Sequence, residues 1–280
     1  MAQMPAASVD LVLADLPYGV TGCRWDKRIA MTPLWEQYER VLKERGVIAL
    51  FAQQPFATDL INAARRMFRY EWIWDKGGAT GFANARRMPM RRRENVLVFY
   101  KRLPAYHPQG LRPCQPHSRP NDRSEVYGGI QRDASVQRFT GYPQSIVAFK
   151  RNAHSAACQK PVELLEYLIR TYTAPGETVL DNAMGTGSTC VAAVATGRGV
   201  VGFEMDPERF RIAEQRTHDA IAGRAQMPAE DTPQHQRLRC RAAHKRPDGD
   251  RSRKRHGNSP REGRVSVTPS AIRHNGLTDR

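Results

Sequence analysis

Thr178-Val179-Leu180-Asp181-Asn182-Ala183-Met184-Gly185-Thr186-Gly187-Ser188-Thr189 reads as a short buried strand, a glycine-containing turn and the start of a helix. Thr178–Asp181 is the strand and Ser188–Thr196 the helix. A strand that turns tightly into a helix N-terminus offers backbone N–H groups and the positive end of the helix dipole to a ligand. Glycine lets that backbone approach closely and take turns closed to other residues. The next strand, Val200–Glu204, ends in Gly202-Phe203-Glu204-Met205-Asp206 and puts a carboxylate about 20 residues beyond the loop, the spacing that suits a bond to ribose hydroxyls. A lone Gly-X-Gly marks only a tight turn. With Asp181 before it and Glu204 after it, the stretch reads as a cradle for a nucleoside cofactor. The third glycine of the dinucleotide pattern and the Gly-Lys-Ser/Thr of a phosphate loop are both missing, so an uncharged or cationic nucleoside fits better than NAD or ATP.

Outward from this loop, strand and helix signals keep alternating. Pro161–Tyr172 and Pro207–Ile221 read as helices. Val9–Ala14 and Val47–Phe51 are apolar runs of the kind buried in a parallel sheet. Between them Thr32-Pro33 reads as a helix start, with Thr32 at the N-cap, Pro33 at the first helical position and Gly46 past the end. Pro55–Met67 is a further predicted helix, and Tyr70–Trp74 and Asn95–Tyr100 are predicted strands. From Lys101 to Lys150 the pattern dissolves among Pro104, Pro108, Pro113, Pro116, Pro120 and Pro143, as in an irregular insertion. Strands alternating with helices over residues 1–222 argue for an α/β, doubly wound sheet.

The first predicted strand runs into Asp15-Leu16-Pro17-Tyr18-Gly19. Ligands of open α/β sheets lie beyond the carboxyl ends of the strands. A carboxylate, a stiff proline that directs a carbonyl, and an aromatic ring at that place suit a planar ring bearing an amino group. The same residues also suit a plain strand-ending turn.

Charge points to the partner. The chain carries 44 Lys and Arg against 28 Asp and Glu, net +16, which suggests a polyanion and first of all nucleic acid. Forty per cent hydrophobic residues suffice for a globular core. Residues 223–280 differ: 14 Lys and Arg meet 6 Asp and Glu, with no Phe, Trp or Tyr, as in a disordered basic tail. No basic residue precedes Arg24, which argues against a signal peptide. Val47–Ala52 and the other apolar runs fall far short of the roughly 20 residues of a membrane helix. Cys23, Cys114, Cys158, Cys190 and Cys240 are odd in number and never spaced C-x-x-C, against a disulfide framework or a thiolate metal site and in keeping with a reducing cytoplasm.

With both motifs read, the chain resembles the permuted, β-type amino-methyltransferases of DNA, especially the small phage-type adenine-specific methylases. Their catalytic Asp-Pro-Pro-Tyr is matched by Asp15-Leu16-Pro17-Tyr18, their cofactor loop by Asp181 to Thr189, and their Gln-Lys-Pro by Gln159-Lys160-Pro161. Trp25-Asp26, Phe51 to Phe56, Trp74-Asp75-Lys76 and Glu94 to Tyr100 are also similar. The likeness covers Val9 to Ile221 in the permuted order, catalytic motif first. Leu16 departs from the family's first proline, which acts through its backbone carbonyl. His154 to Pro161 is two residues longer than the family's counterpart, and the Gly-Asp segment that usually precedes the first strand to hold the cofactor adenine has none here.

The resemblance implies a Rossmann-like, S-adenosylmethionine-dependent methyltransferase fold over residues 1–222, with target recognition in about 101–150. It implies that Asp15 and the Leu16 carbonyl accept the two hydrogens of a target amino group, that Pro17 stiffens the turn, and that Tyr18 stacks on the base. Asp181, Ala183, Met184, Gly185, Gly187 and Glu204, with Gln159, Lys160 and Pro161, would hold the cofactor, and no metal is required. The base must be flipped out of double-stranded DNA, and Arg86, Arg87, Arg91, Arg92 and Arg93 form a cluster suited to phosphates. N6-methyladenine is the implied product, as in restriction-modification. N4-methylcytosine, a weak DNA-binding relative lacking the upstream segment, and a small-molecule methyltransferase are the alternatives. Monomer and homodimer fit equally.

Overall fold

β1 (Val9–Ala14) lies inside the sheet because both of its faces are apolar: Val12 and Ala14 pack on one side, Leu11 and Leu13 on the other, all nearly inaccessible. The computed structural model describes residues 1–225, apart from residues 21, 24–25, 120–134 and 152–158. The other strands are β2 (Leu42–Ala52), β3 (Phe68–Thr80), β4 (Arg91–Phe99), β5 (Arg112–Arg119), β6 (Ser135–Thr140), β7 (Ile146–Ala148), β8 (Thr178–Asp181) and β9 (Gly199–Gly202). The helices are α1 (Met31–Val41), α2 (Phe56–Ala63), α3 (Val162–Tyr172), α4 (Ser188–Thr196) and α5 (Pro207–Ala225).

Seven strands form one sheet in the order β7-β3-β4-β2-β1-β8-β9. β4 alone runs against its neighbours; the other pairings are parallel. α1 and α2 cover one face through Leu34, Trp35, Tyr38, Phe56 and Leu60, packed with Val12, Ile48 and Leu50. α3 and α4 cover the other through Leu164, Leu168, Ala192 and Ala193, packed with Leu11, Val47 and Ala49. Each buried leucine or phenylalanine contributes about 1.5–3 kcal/mol relative to its exposed state. The doubly wound α/β reading is therefore the observed fold. β2 lies on one side of β1 and β8 on the other, so the crevice beyond their carboxyl ends is a switch point, where such sheets bind ligands.

Four expectations need correction. α1 begins at Met31 with Ala30 as its N-cap and no side-chain cap, so Thr32 lies inside the first turn. Gly46 does not end the helix; it lies in β2, where the pairing with β1 jumps from Val9–Leu42 to Leu11–Val47. A Cβ on Gly46 would come within 2.7 Å of Leu42 Cδ1 and 3.0 Å of the Asp10 carbonyl oxygen, so close strand approach, rather than helix termination, requires the glycine there. α2 stops at Ala63, because Ala64 leaves the helical region and the following turn delivers Phe68 to β3.

The fourth correction is the insertion, which is not wholly irregular. β5 and β6 pair as an antiparallel ribbon, and β7 extends the main sheet beside β3. Pro113 and Pro116 are tolerated in β5 because a strand with one partner leaves its other edge free of ladder bonds.

Gly187 makes a testable demand on this frame. Its φ is +79°, and a Cβ there would lie 2.8 Å from Ala213 Cβ and 2.9 Å from Ala213 Cα, whereas a Cβ on Gly185 (φ +54°) would meet nothing within 4 Å. Gly187→Ala therefore combines left-handed backbone strain of about 1–2 kcal/mol with overpacking of about 1–3 kcal/mol, while Gly185→Ala has only the first. Thermal denaturation should rank Gly187→Ala clearly below Gly185→Ala; equal losses would contradict the packing of α5 against the loop.

Candidate active site

Asp15 is the first residue after β1, and its turn is fastened from several sides. The Gly19 and Val20 N–H groups donate to the Asp26 carboxylate at 2.7 and 2.9 Å. Arg28 Nε donates to the Tyr18 carbonyl at 2.9 Å while its Nη1 pairs with Asp59 at 2.8 Å. The Tyr18 ring stacks on Phe56 with centroids 5.2 Å apart. Leu16 is buried in the core and holds the turn from below.

A compact set of charges meets at this turn. Lys160 Nζ donates to Asp15 Oδ2 and lies 3.1 Å from Glu94 Oε1. It also sits over the Phe51 ring, 4.9 Å from the centroid. Lys76 Nζ is 4.0 Å from Glu94 Oε2. The Tyr18 hydroxyl is 2.7 Å from Asp15 Oδ1 and 2.8 Å from Glu94 Oε1, and its single proton serves one of them at a time. Two ammonium groups thus balance two carboxylates, which is what permits so much charge away from water. The side chain of Asp15 keeps 29 % of its exposure against 11 % for Lys160, so Asp15 is the member that an incoming group can reach.

The electrostatics follow from this arrangement. Burial raises the Asp15 carboxyl above its ordinary value, partly offset by Lys160, with Glu94 adding to the rise. Burial acts the same way on Glu94, but Lys160 and the Tyr18 hydroxyl outweigh it and hold Glu94 below the usual range. Burial by itself would lower Lys160; the carboxylates of Asp15 and Glu94 prevail and raise it, so it stays an ammonium. Burial, then the two carboxylates, push the Tyr18 phenol well up.

Beyond β8 the glycine loop forms a second half-site. The Ala183 N–H donates to Asp181 Oδ1 at 3.0 Å. Glu204, just past β9, accepts from the N–H groups of Gly185 (2.9 Å), Met205 (2.9 Å) and Asp206 (3.0 Å). Its carboxylate therefore ties the loop to the strand that follows. Met184 turns inward, its sulfur 3.7 Å from Cys190 Sγ, so only its backbone faces the loop. Gln159 links to Ser188 at 2.8 Å, and with its amide oxygen turned inward it also accepts from the Arg216 guanidinium at 2.6 and 2.8 Å. Pro161 caps α3. Burial pushes the Asp181 carboxyl up to about 7, against the pull of bonds from Thr189 and Ala183. Open space at Gly185, with acidic side chains on either side of the loop, fits a cationic nucleoside cofactor.

The sequence-predicted residues thus fall into two adjacent groups, and Lys160 bridges them: grouped with the cofactor residues in sequence, it reaches the carboxylate of Asp15. Arg86, Arg87, Arg91 and Arg93 are exposed on and beside the β3–β4 connection. Arg92, also exposed, forks onto Asp75 at 2.7 and 2.8 Å. Sequence reasoning assigned no role to Lys76, Glu94, Arg216 or the Tyr38–Asn182 hydrogen bond of 2.6 Å. A signal existed for Lys76 and Glu94: each is a charged residue beside an apolar strand core, and Trp74 pairs with Glu94 across β3 and β4. Cys158 and the His154 to Cys158 stretch lie outside the described residues, as does everything after residue 225. Among the described residues no group of His, Cys, Asp and Glu could hold a metal ion, and no helix is long and apolar enough to cross a membrane.

Comparison with known proteins agrees with this geometry. The chain is 23% identical over 248 residues to the DNA adenine methyltransferase YhdJ of Escherichia coli, covering 77% of this chain and 78% of that protein. It is 25% identical over 236 residues to the type II methyltransferase M1.MboII of Moraxella bovis, covering 74% and 88%. The structure of the M1.HpyAVI–SAM complex shares the fold with a TM-score of 0.52 at 20% identity, covering 74% of this chain and 88% of that one. The profile of a family described as DNA methylase matches residues 9–215, from the first residue of β1 into α5 and across both half-sites. With the Asp15 turn, the glycine loop and the sheet between them all inside that match, this chain belongs to the DNA methylase family.

Proposed function

We propose that this protein transfers a methyl group from S-adenosylmethionine to the exocyclic N6 amino group of adenine in double-stranded DNA, acting in the cytoplasm. The observation that carries the reading is the ammonium of Lys160 on the carboxylate of Asp15, beside the glycine loop. A partly open carboxylate that already accepts from a nitrogen donor is equipped to receive an amino group. The likeness to a DNA adenine methyltransferase over most of both chains, and an aspartate at the head of the motif, favour adenine over cytosine.

An exocyclic amino nitrogen is a poor nucleophile because its lone pair is delocalised into the ring. Asp15 and the Leu16 carbonyl accept its two hydrogens and localise that pair. Lys160 gives way from Asp15 as the amino group arrives, and Glu94, already 3.1 Å from its Nζ, keeps the ammonium paired. S-adenosylmethionine, when bound by Asp181, Ala183, Gly185 and Glu204, supplies a methyl group on a sulfonium. As the N–C bond forms and the S–C bond breaks, the amino nitrogen gains a positive charge next to Asp15, which takes up its surplus proton or passes it to solvent. Positioning and fixed charge do the work. The insertion reads the target sequence, and residues beyond 225 add non-specific attraction to phosphates.

The direct test is chromatography of nucleosides from the DNA of expressing cells. N6-methyladenine is expected; N4-methylcytosine in its place would overturn the choice of base, and neither product the reaction.

Asp181 gives the site a pH dependence of known sign. A proton held up to about pH 7 in the fold, against the ordinary 3.8, means that its contribution to stability is complete below about pH 4 and is lost as pH rises through 7. A cationic cofactor favours the ionised form, so cofactor binding should strengthen by up to about tenfold per unit as pH rises to 7, then level off. Calorimetric titration from pH 5.5 to 8.5 reads this, and Asp181→Asn should flatten the profile; an unchanged slope in the variant would assign the effect elsewhere.

A further inference from the structure

We infer that Phe82 is the wedge that enters the DNA stack when the target base is extruded. This rests on the DNA-methyltransferase reading and adds to it a residue with a separate task.

The connection between β3 and β4 leaves the sheet directly beside the charge cluster: Lys76 precedes it and pairs with Glu94, which follows it and pairs with Lys160, the partner of Asp15. Between them the chain has five arginines and no acidic residue. Its tip is a single turn of 3-10 helix, Phe82–Asn84, entered through Gly81 at φ +91°. The Asn84 N–H bonds the Gly81 carbonyl at 3.0 Å, and the Arg87 and Met88 N–H groups bond Asn84 at 2.9 and 3.0 Å. At the base, Arg92 grips Asp75, the Thr80 hydroxyl donates to the Arg91 carbonyl at 3.2 Å, and Arg91 reaches Gln53 at 3.3 Å. The tip is therefore a built turn, and it holds Phe82 outward at 82 % exposure, the most exposed aromatic ring among the described residues.

An exposed phenylalanine on a connection that also exposes Arg86, Arg87, Arg91 and Arg93, with Met88 and Met90, suits one occupant: a polyanion with an apolar interior opened between base pairs. Apolar side chains inserted at base steps do this in other DNA-binding proteins. Phe82 lies six residues beyond Lys76, at most about 20 Å along an extended chain, so the ring and the Asp15 cluster can engage the same stretch of DNA. The arginines hold the flanking phosphates, and the ring replaces stacking lost on extrusion. Met205 is more exposed but adjoins Glu204 in the cofactor half, and Leu103 follows β4, outside the β3–β4 connection.

The test pairs two measurements on the full chain, wild type and Phe82→Ala, with Phe82→Trp as a rescue. Unmethylated plasmid DNA is the substrate for transfer of a labelled methyl group. A duplex carrying 2-aminopurine at a target position mapped in that DNA reports extrusion by its fluorescence rise. Phe82→Ala should lower both transfer and the fluorescence rise by about tenfold with cofactor binding unchanged, and Phe82→Trp should restore most of both. Transfer within twofold of wild type, or a tenfold loss of transfer with an undiminished fluorescence rise, overturns the wedge alone. Wild type that transfers no methyl group to any DNA overturns the methyltransferase reading, and the wedge with it.

Discussion

Asp15→Ala should abolish methyl transfer, by about a thousandfold or more, while cofactor affinity stays near that of wild type. On the proposed reading the carboxylate receives the amino group to be methylated; in the structure it touches the ammonium of Lys160 and the hydroxyl of Tyr18, and none of the glycine-loop amides. Its removal takes away the acceptor that localises the nitrogen lone pair. Lys160 retains Glu94, so the fold should survive. Methyl-transfer rates and calorimetric titration of S-adenosylmethionine on the same preparation separate the two effects. Loss of cofactor binding in the variant would contradict the placement of Asp15 in the base-binding half.

The second large effect is on stability. Lys160→Met leaves Asp15 and Glu94 sharing one hydroxyl, with Lys76 4.0 Å from Glu94 as the remaining ammonium. Removing one partner of a buried ion pair costs about 3–5 kcal/mol, and the partial exposure of Asp15 puts this case at the lower end. A chain of this size should lose about 2–4 °C of thermal midpoint per kcal/mol, and transfer activity should fall with the disordered turn. The loss has a pH signature. Without the ammonium both carboxyls are raised above their unfolded values, so the variant is favoured at low pH and penalised as pH rises through those values. The gap between wild type and variant should therefore widen from pH 5 to pH 8. A gap independent of pH would mean that Lys160 acts by packing on Phe51 rather than by its charge.

How much of this the sequence discloses depends on the range of the interactions. β1, β8, the glycine loop and the Asp15 turn are read from contiguous residues, because their signals, apolar runs and left-handed glycines, are local. Gly46 misleads for a physical reason: a glycine after a helical stretch is the ordinary end signal, and only the three-dimensional approach of Leu42 and Asp10 reveals its other use. The β5–β6 ribbon hides because its prolines are breakers in a central strand and harmless in a two-stranded one. The charge cluster is least visible. Lys160 meets Asp15 across 145 residues and Tyr18 meets Glu94 across 76, and no spacing rule joins such positions. The assignment of Lys160 to the cofactor group follows its neighbours in the chain, whereas the side chain follows the nearest carboxylate.

The place of β1 in the sheet also bears on how the protein is made. Its partner β8 begins 164 residues after Ala14, and synthesis at about 5–20 residues per second leaves that edge of β1 without its neighbour for roughly ten to thirty seconds. An apolar strand with an open edge invites pairing with another nascent chain. Asp10 lies in that strand: its carboxylate, paired with Lys43 at 2.8 Å, accepts the Thr178 N–H at 3.0 Å. A charge on an open edge disfavours pairing with a foreign strand, and here the same carboxylate is the clasp that holds the proper partner.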